Sequence, residues 1–252
     1  MVVTPQTLFT GQQLVWLPAC ASTNSEAQTL VVQNRASDGY TIITDFQTAG
    51  RGQRGNRWEG APAENLLLSV VWQPRFLAAA QQFRLSQAVA LGVHDWAAAL
   101  LGPAPGLKLK WPNDLYYGDQ KLGGILIENS LSGPAIQHSI VGIGLNINQQ
   151  AFDSPAATSI SQITGRCYPR EELAACLLES LERRYLQLRA GQVGHLRQDY
   201  LRALYRYQEE HLFLIDGRPV SGQIVGVEED GRLAVAIGQE LRRFGLQEIR
   251  HL

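Results

Sequence analysis

The sequence predicts an α+β protein built in two parts. A larger part mixes short strands with long amphipathic helices, and a small all-β part follows it. Three observations predict this. Within residues 81–101, Leu85, Val89, Val93, Trp96, Ala97 and Leu100 recur at helical spacing, a stripe long enough to pack across a sheet. Short runs rich in β-branched and aromatic residues, such as 66–72, are separated by turn residues. The composition shifts near Tyr207, after which residues 211–250 alternate β-like runs with turns at Asp216-Gly217 and Asp230-Gly231. That last pattern suggests a small barrel of SH3-like type. We divide the chain into 1–206 and 207–252 accordingly.

The elements follow in order. Thr23 to Glu26 fits a capping box, so a helix is expected from Asn24 to about Asn34. Residues 40–46 read as a strand that runs into a glycine- and arginine-rich segment, and 66–72 as a second strand. After Gly102-Pro103-Ala104-Pro105-Gly106 the pattern returns to β at 107–111, 114–117, 124–129 and 136–146. Ser132-Gly133-Pro134 joins the last two as a hairpin. A long polar loop spans 149–168, and residues 170–206 read as two helices broken at Gly191 and Gly194.

Bulk properties narrow the function classes. A formal net charge of −1 over 252 residues gives no global field toward nucleic acid or membrane, so anion binding must be local. Neither DNA nor a membrane is expected as a partner. No apolar run approaches the roughly 18 residues needed to cross a bilayer, and no signal peptide is visible. Cys20, Cys167 and Cys176 have no metal-ligand spacing and read as free thiols in a reducing compartment, which predicts a cytoplasmic protein. The five histidines form no ligand spacing either, so no protein-held metal is expected.

Residues 47–58, Gln-Thr-Ala-Gly-Arg-Gly-Gln-Arg-Gly-Asn-Arg-Trp, carry the strongest chemical signal. Glycines 50, 52 and 55 free the backbone, and arginines 51, 54 and 57 supply forked cations suited to phosphate or carboxylate. The segment describes a cationic loop able to close over a polyanion. It is neither a Walker loop nor a dinucleotide fingerprint, since no Gly-Lys-Ser/Thr follows and arginines interrupt the glycine spacing. Three other segments are weaker when read alone. Lys110-Trp111-Pro112-Asn113-Asp114 gathers a lysine, an amide and a carboxylate on one turn, as ordinary turns also do. Lys121-Leu122-Gly123-Gly124 opens a strand with glycines that mark either a bulge or a close approach. In 141–148, Gly142 and Gly144 fall on one strand face and would leave a flat slot, with Asn146 next on that face. Tight helix-on-sheet packing would use the same glycines.

In this order, the segments Ser22-Thr23-Asn24, 47–58, 110–115, 121–128 and 142–146 resemble the biotin protein ligases, over about residues 14–150. The resemblance implies a mixed sheet flanked by helices, related to class II aminoacyl-tRNA synthetases, with a small C-terminal β-barrel. It implies that biotin's carboxylate attacks the α-phosphate of ATP, with Mg²⁺, to give biotinoyl-5′-AMP, and that a lysine of a biotin carboxyl carrier protein is then acylated. The carrier of acetyl-CoA carboxylase is the expected partner. Arg51, Lys121 and Asp114 are the implied catalytic residues. Ser22, Thr23, Asn24, Gln47, Gly50, Arg51, Gly52, Lys121, Gly123 and Gly124 are implied at biotin. Arg51, Arg54, Trp58, Lys110, Asn113, Asp114, Lys121 and Asn146 are implied at the nucleotide. The loop is expected to be the most mobile segment of the unliganded protein and to shield the adenylate from water.

Gln53 and Asn56 stand where the family loop often has arginines, which bears on retention of the adenylate. Only about twenty residues precede Ser22, so the repressor-type helix-turn-helix of bifunctional members is not expected. A monomer or a homodimer fits the resemblance, the latter through edge pairing beside the strand at 142–148. Two rivals share features with this reading. A lipoate ligase or octanoyltransferase shares the core but not the arginine-rich loop, and some members use a cysteine, for which Cys20 is the candidate. A non-catalytic adaptor would have no need of Arg51, Asp114, Lys121 and Asn146.

Overall fold

The structure is a computed structural model that describes residues 4–252, the side chain of Arg54 apart. Strands β1 (Leu14–Leu17), β2 (Thr41–Thr44), β3 (Leu66–Trp72), β4 (Leu107–Lys110), β5 (Asp114–Tyr117), β6 (Gln120–Ser132) and β7 (Ala135–Leu145) form one seven-stranded sheet. Its order is β1-β2-β3-β7-β6-β5-β4, with β1 and β2 parallel and the other neighbours antiparallel. The sheet is therefore mixed. β3 is buried along its whole length, which explains its unbroken run of mostly apolar residues.

Helices α2 (Gln82–Leu101) and α4 (Arg170–Arg189) share a core with one face of this sheet, including Ile43, Leu68, Ile125 and Ile143. Their close approach depends on Gly92, where a Cβ would lie 2.9 Å from the Leu181 Cα. Trp96 of α2 donates its indole N–H to the Leu173 carbonyl of α4. The opposite face carries α1 (Thr23–Val32) at one end, packed as Ala27 against Ile42, Val71 and Ile140. The rest of that face is the floor of the site described below. Helix α3 (Ile160–Thr164) is short, and α5 (Val193–Ala203) follows α4.

A second, antiparallel sheet contains β8 (Glu210–Ile215), β9 (Arg218–Val227), β10 (Leu233–Ile237), β11 (Glu240–Phe244) and β12 (Ile249–His251), in the order β11-β10-β9-β8-β12. Asp216 and Gly217 join β8 to β9 with φ of 50° and 75°, the two positive values that a tight hairpin needs. The apolar face of this sheet (Phe213, Ile224, Val235, Phe244) belongs to the same hydrophobic core as the larger sheet.

Several expectations are corrected. The C-terminal strands form an open five-stranded sheet among the described residues, with β11 and β12 as unpaired edges, rather than a closed barrel. The capping box does not form. Ser22, not Thr23, is the N-cap and makes no side-chain cap bond, and the Thr23 hydroxyl turns toward Gln47 and Ser69 instead of capping the helix. β7 is central, paired to β3 on one side and β6 on the other, so it offers no free edge. β1 is a further strand, which the sequence pattern does not mark. The loop 149–168 holds α3, and Gly194 lies inside α5 rather than breaking it.

The N-terminal arm is tied to α4 by one carboxylate. Glu182 is 4% exposed and accepts the backbone N–H groups of Leu8 (2.6 Å), Phe9 (3.0 Å) and Thr10 (2.8 Å). Replacing it leaves three donors unsatisfied. We expect Glu182→Ala to cost about 1.5–3 kcal/mol, checked by urea unfolding; an unchanged midpoint would count against this anchor.

Candidate active site

Strand pairing determines where the chemistry sits. On one face of the large sheet the register aligns Leu67 with Gly144, Gly144 with Gly124, Gly124 with Asp114 and Asp114 with Lys110. The next row aligns Ser69, Gly142 and Leu126. Two strand segments predicted for different reasons thus meet on one face, with glycines at three positions where side chains would otherwise fill the space. A cavity of about 440 Å³ lies over this floor.

At one end of the cavity Lys121 Nζ lies 2.7 Å from Asp114 Oδ1. Lys110 Nζ sits 4.4 Å from the centroid of the Tyr116 ring and 5.4 Å from that of Tyr205. Burial lowers the Lys110 pKa, while Asp114 and Asp119 pull it the other way. Burial also pushes the Tyr116 hydroxyl up to about 12, so that group stays neutral. Asn113 braces the turn, its amide donating to the Ile125 carbonyl at 2.6 Å. The peptide bond between Trp111 and Pro112 is cis, and Trp111 donates its indole N–H to the Gly231 carbonyl at 2.9 Å.

At the other end the start of α1 supplies a polar wall. Gln47 Oε1 accepts the Thr23 backbone N–H at 2.8 Å and faces its hydroxyl at 3.3 Å. Ser69 Oγ lies 2.7 Å from Thr23 Oγ1 and 2.6 Å from Asn24 Oδ1. Gly142 makes room for this wall, since a Cβ there would come 2.2 Å from Asn24 Oδ1.

The arginine-rich loop folds into a small hairpin over the cavity. Trp58 N–H donates to Gly50 O at 3.1 Å, Arg51 and Arg57 form an isolated bridge, and Gly52 N–H donates to Asn56 O at 2.7 Å. Arg51 pairs with Glu128. The slot expected above Gly142 and Gly144 is partly filled by the chain itself. The Trp58 ring lies over Gly144, where a Cβ would come within 2.6 Å of it, and Asn24 covers Gly142.

Of the residues singled out from sequence, Ser22, Thr23, Asn24, Gln47, Arg51, Gly52, Trp58, Lys110, Asn113, Asp114, Lys121 and Gly124 line this one cavity. Gly50, Gly123 and Asn146 are not on its wall. A Cβ on Gly123 would meet Leu145 Cδ2 at 2.5 Å, so this glycine serves strand packing. Asn146 is buried and donates to the Thr158 carbonyl at 2.9 Å, bracing the loop that leads to α3. The side chain of Arg54 lies outside what the structure describes. Sequence reasoning missed the wall supplied by the second sheet, including Gln247, Arg250 and His251. Nothing in local pattern marks these residues, because only the docking of the two sheets brings them here.

Residues 16–146 match the biotin/lipoate A/B protein ligase family. The chain belongs to that family. It is 34% identical over 220 residues to the biotin–[acetyl-CoA-carboxylase] ligase of Paracoccus denitrificans, covering 84% of this chain and 89% of that one. It is 33% identical over 183 residues to the bifunctional ligase/repressor BirA of Bacillus spizizenii, covering 69% of this chain but only 54% of that longer protein. The fold matches the biotin protein ligase from Aquifex aeolicus in complex with biotin and ATP at a TM-score of 0.80 and 24% identity, covering 96% of this chain and 100% of that one.

His251, on the cavity wall, has its pKa lowered to about 3, first by burial and then by the charges of Lys110, His211 and Arg206. Its folded value lies below its unfolded one, so the unfolded chain takes up the proton first. The stability it contributes is therefore present above the unfolded value of roughly 6.5 and is lost as pH falls toward about 3. We expect His251→Asn to flatten the decline of melting temperature across that window; a decline parallel to the parent's would contradict the assignment.

Proposed function

We propose that this chain activates biotin with ATP as biotinoyl-5′-AMP and transfers the biotinoyl group to a lysine of a biotin carboxyl carrier protein. The observation that carries the reading is a single cavity with two unlike ends. A polar wall of Thr23, Asn24 and Gln47 stands at one end and Lys121, Lys110 and Asp114 at the other, with Arg51 on the loop above a glycine floor. The ureido ring of biotin is neutral and rich in donors and acceptors, and the polar wall offers partners of both kinds. Its carboxylate then points toward the cationic end.

In the first step a carboxylate oxygen attacks the α-phosphorus, and the bond to the pyrophosphate oxygen breaks. Anion approaches polyanion, so the positive side chains have the largest task. Lys121 is placed to meet the developing charge once an incoming anion competes with Asp114, and Arg51 approaches from the loop. In the second step the carrier's amine attacks the acyl carbon and AMP leaves. In this reading Asp114 holds the amine. The loop excludes water while the mixed anhydride exists.

No group of three or more His, Cys, Asp or Glu side chains that could hold a metal occurs among the described residues, and Asp114 is engaged with Lys121. Mg²⁺ fits as a companion of the nucleotide, where it offsets phosphate charge. Cys20 is not on the cavity wall, and burial raises its thiol pKa, against the hydrogen bond from Thr44. That placement does not favour acyl transfer through a cysteine.

Biotin-dependent ATP–pyrophosphate exchange tests the proposal. We expect exchange with biotin and none with lipoate or octanoate, an unchanged rate for Cys20→Ala, and a fall of about 100-fold or more for Lys121→Met. Exchange driven by lipoate would move the assignment to the other branch of the family, and no exchange with any acid would end the ligase reading.

A further inference from the structure

Glu128 is a charged side chain beside the site that the mechanism above does not use. It does not border the cavity, yet both of its carboxylate oxygens reach residues that do. Oε1 is paired with Arg51 Nη2, on the loop. Oε2 accepts from Asn24 Nδ2 at 2.8 Å, on the polar wall. Asn24 is fixed in turn, with its Oδ1 2.6 Å from Ser69 Oγ and its Nδ2 3.3 Å from the Leu126 carbonyl. One continuous polar chain therefore runs from the loop guanidinium through Glu128 to the wall that faces the ring end of the cavity.

We infer that Glu128 is a positioning residue that couples occupancy of the ring end to the placement of Arg51 at the nucleotide end. The inference rests on the ligase reading above. A guanidinium has five donors, and Glu128 engages Nη2, so other N–H groups remain available to an anion. The pair is half-exposed, at 45% for Arg51 and 33% for Glu128, so it contributes little to stability and its effect is on geometry. A carboxylate is the group that suits this place, because both neighbours present donors. A glutamine has one acceptor, and its amide N–H₂ would confront either Arg51 or Asn24. Asn24 and Glu128 are already joined in the empty structure, so a ligand seated against Asn24 stabilises the chain as a whole and with it the placement of the loop arginine.

The test is thermodynamic linkage on the full chain. The affinity for an ATP analogue whose α,β bridge cannot be cleaved is measured by calorimetry with and without saturating biotin. In the parent, biotin is expected to tighten the analogue about tenfold. In Glu128→Gln the two affinities are expected to converge while the melting temperature stays near the parent's, and Glu128→Asp should recover part of the linkage. Arg51→Gln breaks the same chain at its other end and should also abolish the linkage, which keeps the inference testable if Glu128→Gln folds poorly. Equal tightening by biotin in the parent and in whichever of these variants folds would overturn the role of Glu128. So would a parent that catalyses biotin-dependent exchange but shows no tightening. A parent without any exchange would instead overturn the ligase reading, and this inference with it.

Discussion

The pairing register of β7 against β3 and β6 is the constraint on which the site depends. It places Gly144 beside Gly124, and β5 then sets Asp114 beside Gly124 and β4 sets Lys110 beside Asp114. A slip of β7 by one residue would turn Gly142 and Gly144 toward the face occupied by α2 and α4 and aim Ile143 into the cavity. There the glycines would open a void in the core. The apolar neighbours Ile125 and Ile143, alternating with the glycines, hold the register by filling that core. The same strands thus encode a packed face and an empty one, and the packed face fixes the empty one in place.

Two of the cations at the site are held in ion pairs, while Lys110 rests over aromatic rings. Lys121 meets Asp114, and Arg51 meets Glu128. Unpaired cations so close together would repel one another and raise the free energy of the empty cavity. Paired, they give up little when a ligand arrives, because these groups are all partly exposed and the pairs are correspondingly weak. A substrate carrying several negative charges then offers each cation a stronger partner than a single carboxylate does. The pairing is compatible with a cavity that is stable when empty and still cationic toward a polyanion.

Much of this was legible in the sequence, for identifiable reasons. β3 and β5 were read to the residue because apolar runs and turn residues bounded them on both sides. The convergence of 110–114, 121–124 and 142–144 was legible only as a set, since each segment alone also reads as a turn or a bulge. What could not be read were effects of three-dimensional partnership. Thr23 looks like a helix cap, but its hydroxyl finds Gln47 and Ser69, residues that are distant in sequence. Asn146 lies on the expected strand path, but Thr158 takes its amide. The strands after residue 207 were visible by their turns, whereas their contribution of Arg250 and His251 to the cavity depends on how two sheets dock.

Trp58 shows how the floor and the loop act on one another. Its indole covers Gly144 and approaches Gly124, with a Cβ on Gly124 falling 3.3 Å from the ring. Its Nε1 is buried and has no hydrogen-bond partner among the described residues, and a buried donor left so costs about 1–3 kcal/mol. Lys121 Nζ stands 5.8 Å from the ring centroid, which returns part of that cost through the ring face. A ligand ring that reaches the glycine floor must move this side chain, and Trp58 is anchored by its backbone to Gly50 at the foot of the loop. The side chain that covers the floor and the backbone that starts the loop thus belong to one residue.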